Sequence, residues 1–151
     1  LNTAYSDFTQ LADLKKKILD VLIQRRVSAF ATVTEDGHPW VRYVVAFPDE
    51  ELSLTFPTHL KSRKVAHIRR NPEVHLTTGV SNFETARNYV QVQGTAEIVT
   101  DEKLRKAHWR PFLGNYFEGA DDPDYCLVVI RPYRIEYVSM DAWHPEVWTP
   151  E

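Results

Sequence analysis

Residues 58 to 64 read Thr-His-Leu-Lys-Ser-Arg-Lys. Three cations, Lys61, Arg63 and Lys64, stand at the start of a segment that reads as a short helix, about Lys61 to Arg70. A helix start carries partial positive charge and prefers acidic side chains, yet no carboxylate lies in this stretch. The far end, Arg69-Arg70, follows the usual preference. An anion at the start resolves the conflict: free backbone N–H groups, the Ser62 hydroxyl and the Arg63 and Lys64 charges would converge on a phosphate. The plainer reading is a solvated basic turn, costing roughly a few tenths of a kcal/mol per charge. No P-loop glycine pattern accompanies the segment.

Other reactive residue types are scattered. His38, His59, His67, His75, His108 and His144 show no metal-ligand spacing, and one cysteine offers no thiolate pair, so no metal site is expected. His59 alone sits in the basic segment. No Gly-x-Ser-x-Gly elbow occurs, and Cys126 falls in an apolar run where a buried, inert thiol is expected. No catalytic residue stands out. Trp109, Phe112, Tyr116 and Phe117 form an aromatic group that suits packing, a cleft wall or a dimer contact.

The elements that must hold the basic segment are mostly strands. Phe8, Leu11, Leu14, Ile18 and Leu22 recur at helical spacing, giving an amphipathic helix over 7–25 with Ser6 or Asp7 as its cap. Strands follow over 28–34 and 40–47, with Asp36-Gly37 between them as a hairpin signal. A third covers 51–56. Asn71-Pro72 stops the short helix, because proline disfavours helix in the residue before it. Further strands cover 73–78 and 88–99, the latter with Val90, Val92, Ala96 and Ile98 on one face and Gly94 inviting a bulge. A helix from Asp101 is interrupted at Pro111 and Gly114. A last pair, 125–130 and 134–139, flanks Arg131-Pro132, and the tail 141–151 with Trp143 and Trp148 reads as irregular. Adjacent strands with few helices predict a mainly β, closed or partly closed antiparallel barrel.

The totals agree. The 151 residues fit one domain over 1–151, with 43% hydrophobic and 26% charged residues to build and solvate a core. A net charge of -3 gives no bulk basic excess for nucleic acid. No apolar run reaches the roughly 18 residues of a membrane span. The lone cysteine suits a reducing cytoplasm, the expected location. The chain begins at Leu1 rather than Met, which leaves room for residues before it.

Several stretches together resemble a known family. Trp40-Val41-Arg42-Tyr43-Val44-Val45, Leu54-Thr55-Phe56-Pro57-Thr58, Ser62-Arg63-Lys64, Ile68-Arg69-Arg70-Asn71-Pro72-Glu73-Val74 and Gln93-Gly94-Thr95-Ala96-Glu97 are similar to the pyridoxamine 5′-phosphate oxidase-like FMN-binding split barrels. Phe117-Glu118-Gly119-Ala120-Asp121-Asp122-Pro123 resembles their general-stress-protein branch. The similarity spans about residues 10–140.

The resemblance implies a six-stranded antiparallel split barrel and a homodimer with FMN in the clefts between subunits. Arg63 and Lys64 match the phosphate-binding pair, and Thr58 a threonine on the same group. Arg42 matches an arginine that contacts FMN; Tyr43, Val44 and Val45 match backbone along the isoalloxazine ring. Tyr89 takes the place of a glutamine that reaches the flavin from the partner. Other positions depart from the oxidase proper. Phe47 replaces a lysine, Lys106 and Gly114 replace a tyrosine and a serine that hold substrate phosphate, and Val138 replaces a tryptophan; Arg110 is retained. The expectation is an FMN-dependent oxidoreductase of unknown substrate. The alternatives are a flavin-storing or flavin-sensing stress protein, a haem or deazaflavin binder, or a true pyridoxamine-phosphate oxidase.

Overall fold

The computed structural model describes residues 2–24 and 27–151. Helix α1 (Asn2–Ile23) leads into strands β1 (Ser28–Val33), β2 (Pro39–Val44), β3 (Phe47–Pro48) and β4 (Leu54–His59). Helix α2 (Arg63–Arg70) is followed by β5 (Glu73–Thr78) and β6 (Asn88–Val99). Helix α3 (Glu102–Ala107) and a 3-10 turn (Pro111–Asn115) precede β7 (Tyr125–Ser139) and β8 (Glu146–Trp148). All pairings are antiparallel, in the order β2-β1-β5-β6-β7-β4-β3, with β8 on β7. The antiparallel split barrel is as expected, but its strand path has seven members rather than six, because the short β3 joins the six strands of at least six residues; β8 is a further short addition.

The sheet curls on itself. Phe30 of β1 meets Phe56 of β4 edge to face, 5.1 Å between ring centroids, although β5, β6 and β7 stand between them in the ladder. The β6–β7 pairing carries a register shift, where Gly94 faces Pro132 and Tyr133 is left unpaired. A Cβ on Gly94 would lie 2.5 Å from the Arg131 carbonyl oxygen, so only glycine lets the strands approach this closely. Leu14, Ile18, Val21 and Leu22 of α1 join Phe30, Leu54, Leu76, Val92 and Ile135 in one core.

Several expectations need correction. The run 40–47 is two strands, because Val45-Ala46 carries the chain from β2 at one end of the sheet to β3 at the other. The third strand begins at Leu54; residues 49–53 instead form a turn in which Asp49 Oδ1 accepts from the Glu51 and Ser53 amides, with Leu52 held at φ 67 and fully buried. The last pair is a single strand, since the bulge absorbs the irregularity at Arg131-Pro132. Part of the tail is strand β8, tied to α1 by the 2.8 Å Lys17–Glu146 ion pair. Helix α1 starts at Asn2, so Ser6 and Asp7 lie within it and do not cap it; Arg25, the predicted end, lies outside the described residues. Phe8 and Leu11 remain exposed, because the core meets only the second half of α1.

Candidate functional site

Helix α2 begins at Arg63, with Ser62 in extended conformation as its N-cap and no side-chain cap bond. Among the described residues the backbone N–H groups of Arg63 and Lys64 have no backbone acceptor. Lys61 is drawn aside to Asp124, 3.8 Å away, so it does not join the cluster. Its place is taken from another element. Arg42 lies opposite Phe30 in the β1–β2 register and Trp40 opposite Thr32, so both point to the inner side of the curled sheet, toward α2.

Arg42, Arg63 and Lys64 thus gather from an edge strand and a helix start. Burial and then the neighbouring Arg63 charge lower the pKa of Arg42. Burial and then Arg42 lower that of Lys64, against a small opposing effect of Cys126. Among the described residues no carboxylate pairs with any of the three. Each is held by neutral groups instead. Lys64 Nζ donates to Thr58 Oγ1 at 2.9 Å, and Thr58 Oγ1 lies 3.3 Å from Ser62 Oγ. The Arg63 guanidinium stacks over Trp40, 4.7 Å from the ring centroid. Arg42 Nη1 donates to Thr32 Oγ1 at 2.7 Å and, more weakly, to the Phe30 and Trp40 carbonyls. Arg42 and Lys64 are partly desolvated and Arg63 is exposed, and three such cations without a counter-charge have the chemistry to hold an anion.

Beside it opens a cavity of about 270 Å³, walled by Tyr43, Val44 and Val45 at the end of β2, by Phe56–His59 of β4, by Lys64 and by Phe112, Leu113, Tyr116 and Phe117. This is just below the roughly 300–1,000 Å³ of small-molecule pockets, so one chain supplies only part of an enclosure. Tyr43 is largely exposed, at 78%. It also lines a second cavity, on the outer face, with Val27, Thr77, Val80 and Tyr89. Of the expected site residues, the fold brings together Arg42, Tyr43, Val44, Val45, Thr58, Ser62, Arg63 and Lys64; Tyr89 meets only Tyr43 of these, at the outer cavity, and does not line the first one.

His59 stacks against Phe117, 4.5 Å between centroids, and Phe117 and Trp109 pack on Tyr125, so that part of the aromatic group is a small second core. Phe112 and Tyr116 stay exposed at the cavity. The retained Arg110 lies over the Phe47 ring at 4.2 Å, while Lys106 pairs with Glu102 on the surface at 2.6 Å. Cys126 is buried, its thiol against the Thr58 carbonyl at 3.4 Å. Sequence reasoning missed Thr32 and His67, which stand behind Arg42 with Thr32 Oγ1 and His67 Nδ1 2.8 Å apart. His67 follows Arg63 by four residues, a spacing that puts both on one helix face; nothing local marks Thr32.

Comparison with known proteins bears on the family and the fold. The family model described as pyridoxamine 5′-phosphate oxidase matches residues 14–139. General stress protein 26 of Bacillus subtilis is 35% identical over 127 residues, covering 84% of this chain and 89% of that protein. The crystal structure of General Stress Protein 26 from Bacillus anthracis superposes with a TM-score of 0.78 at 29% identity, covering 91% of this chain and 98% of that one. The pyridoxine/pyridoxamine 5′-phosphate oxidase of Escherichia coli O9:H4 is 38% identical over 82 residues, which are 54% of this chain but only 36% of that enzyme. The chain belongs to the pyridoxamine 5′-phosphate oxidase family, in its general-stress-protein branch.

Proposed function

We propose that the protein binds FMN and works as a flavin-dependent oxidoreductase. The observation that carries this reading is the convergence of Arg42, Arg63 and Lys64, unpaired with any carboxylate, at the mouth of an apolar cavity. The donor set fits a phosphomonoester. Two guanidinium groups, an ammonium, the Thr58 and Ser62 hydroxyls and two free backbone N–H groups of α2 would hold it. The chain segment Tyr43–Val45 and the aromatic wall would take the flat apolar ring. When bound, FMN supplies hydride and single-electron chemistry. The chain's own part is to bind, orient and shield: the described cavity holds no carboxylate to act as acid or base, and its ionisable side chains are Lys64, His59, Tyr43 and Tyr116.

A homodimer completes the cleft in this reading. Val41 and Tyr43 are 61% and 78% exposed on the edge strand β2, and the cavity is too small to enclose a whole flavin nucleotide. Tyr89, remote from the cations of its own chain, would then reach the flavin of the partner. The compartment we assign is the cytoplasm, where a single reduced thiol such as Cys126 is the ordinary state. A second reading, a flavin carrier or sensor without turnover, is favoured by Phe47 and Lys106. Arg110 is occupied by stacking on Phe47, and Lys106 is turned to Glu102, so neither stands ready for a substrate phosphate.

Titration of the purified protein with FMN and riboflavin, followed by flavin fluorescence, tests the binding site. Arg63→Ala with Lys64→Ala should weaken FMN at least tenfold and riboflavin by less than twofold; equal losses would overturn the phosphate assignment. Steady-state reduction of the FMN-loaded protein by NADH or NADPH separates the two readings, since a carrier shows no turnover.

A further inference from the structure

Behind the cation cluster lies a hydrogen-bonded chain whose direction can be deduced. Thr32 is 2% exposed and His67 9% exposed, so neither exchanges its partner for bulk water. Thr32 Oγ1 has two polar neighbours, Arg42 Nη1 at 2.7 Å and His67 Nδ1 at 2.8 Å. A guanidinium only donates, so the threonine oxygen accepts from Arg42. The single hydroxyl proton must then go to His67 Nδ1, because a buried hydroxyl proton without an acceptor is unfavourable. That assignment requires a neutral imidazole carrying its proton on Nε2. The surroundings favour the neutral form. Burial lowers the pKa of His67, and so do Arg42 from β2 and Arg63 and Arg70 from its own helix; Thr32 is its neighbour on β1.

We propose that His67 is a positioning residue of the anion site: its Nδ1 takes the Thr32 hydroxyl proton, and this fixes the Thr32 oxygen as the acceptor that aims Arg42. The proposal rests on the reading that Arg42, Arg63 and Lys64 hold the FMN phosphate. A carboxylate behind Arg42 would aim it equally well but would cancel its charge. The Thr32–His67 pair sets the geometry and leaves the charge free for the ligand. Buried uncharged groups thus do what an ion pair does on a protein surface.

The test combines imidazole nitrogen NMR of the wild-type protein at pH 7 with FMN and riboflavin titrations of four variants. The wild type is expected to show His67 as the Nε2–H tautomer; an Nδ1–H tautomer or an imidazolium overturns the proposal without any mutation. His67→Leu and Thr32→Val should each weaken FMN by about tenfold, the effect of one lost hydrogen bond to a charged group, and riboflavin by less than twofold. His67→Asn, which places an acceptor oxygen near the Nδ1 position, and Thr32→Ser, which keeps the hydroxyl, should each recover to within about threefold of wild type. Unchanged FMN affinity in the first pair, or equal losses for FMN and riboflavin, overturns the positioning role. A wild-type protein that does not prefer FMN to riboflavin overturns the phosphate reading itself, and the tautomer result then still decides the direction of the Arg42–Thr32–His67 chain.

Discussion

The guanidinium of Arg63, the first residue of α2, lies over the indole of Trp40 on β2, 4.7 Å from its centroid. The contact ties the helix start to an edge strand and holds Arg63 without neutralising it. Trp40→Leu should therefore loosen Arg63 and weaken FMN by about two- to fivefold, the worth of an exposed cation–π contact. Riboflavin should be unaffected. Fluorescence titration of both ligands checks this, and an undiminished FMN affinity would show that the stacking is incidental.

Cys126 should be inert in the folded protein. Burial pushes its thiol up to about 11, outweighing the opposing pull of Arg69, Lys64 and Arg105. At pH 8 the native protein should consume almost no Ellman's reagent, and the denatured chain one equivalent, since the sequence holds one cysteine. Fast labelling of the native state would contradict this burial.

Gly94→Ala should destabilise the fold by about 1–3 kcal/mol, the usual cost of overpacking. The added methyl group meets the Arg131 carbonyl at 2.5 Å and Pro132 Cα at 3.1 Å, both backbone, so neither can swing aside. Urea unfolding followed by tryptophan fluorescence measures the change. A neutral result would mean that the bulge can shift its register.

Stability should fall as the pH drops below the ordinary histidine range. Burial lowers the pKa of His67, His75 and His108, each with further contributions from neighbouring charges. The unfolded chain, with histidines near 6.5, therefore binds more protons than the folded one as the pH falls through that value. The stabilisation is complete above about pH 6.5 and is lost progressively toward the lowered folded-state values. Thermal unfolding between pH 8 and 5 should show the decline, with a shallower slope in His67→Asn. A Tm that rises toward pH 5 would contradict this.

The contrast between Lys61 and Arg42 shows how far the sequence could be read. Three cations at a helix start were visible as a conflict with the helix dipole, and this pointed to the place of the proposed anion site from local chemistry. Which three cations form it was not visible. Lys61 leaves for Asp124, which comes from the distant β7 approach, and Arg42 arrives through a strand register that only the folded sheet defines. The resemblance supplied Arg42 where spacing could not. Alternation gave β6 its inner face, because a half-buried strand shows its period directly. The join at Val45-Ala46 was hidden, since an unbroken apolar run looks the same whether it stays in one strand or passes to another. Thr32 and His67 were hidden for a similar reason: a buried hydroxyl and imidazole leave no local pattern, only a shared neighbour.

The two-residue passage from β2 to β3 has a mechanical consequence. Those strands stand at opposite ends of the hydrogen-bonded order, so among the described residues no ladder joins them, and the covalent chain completes the circle of strands there together with core contacts such as Phe30 on Phe56. Val45-Ala46 is in effect the clasp of a bracelet. Cutting the backbone at that point would leave all seven strand pairings in place while freeing the wall of the ligand cavity from its opposite side. A ligand seated against Tyr43–Val45 braces that clasp, so occupancy of the cavity and resistance to opening rise together.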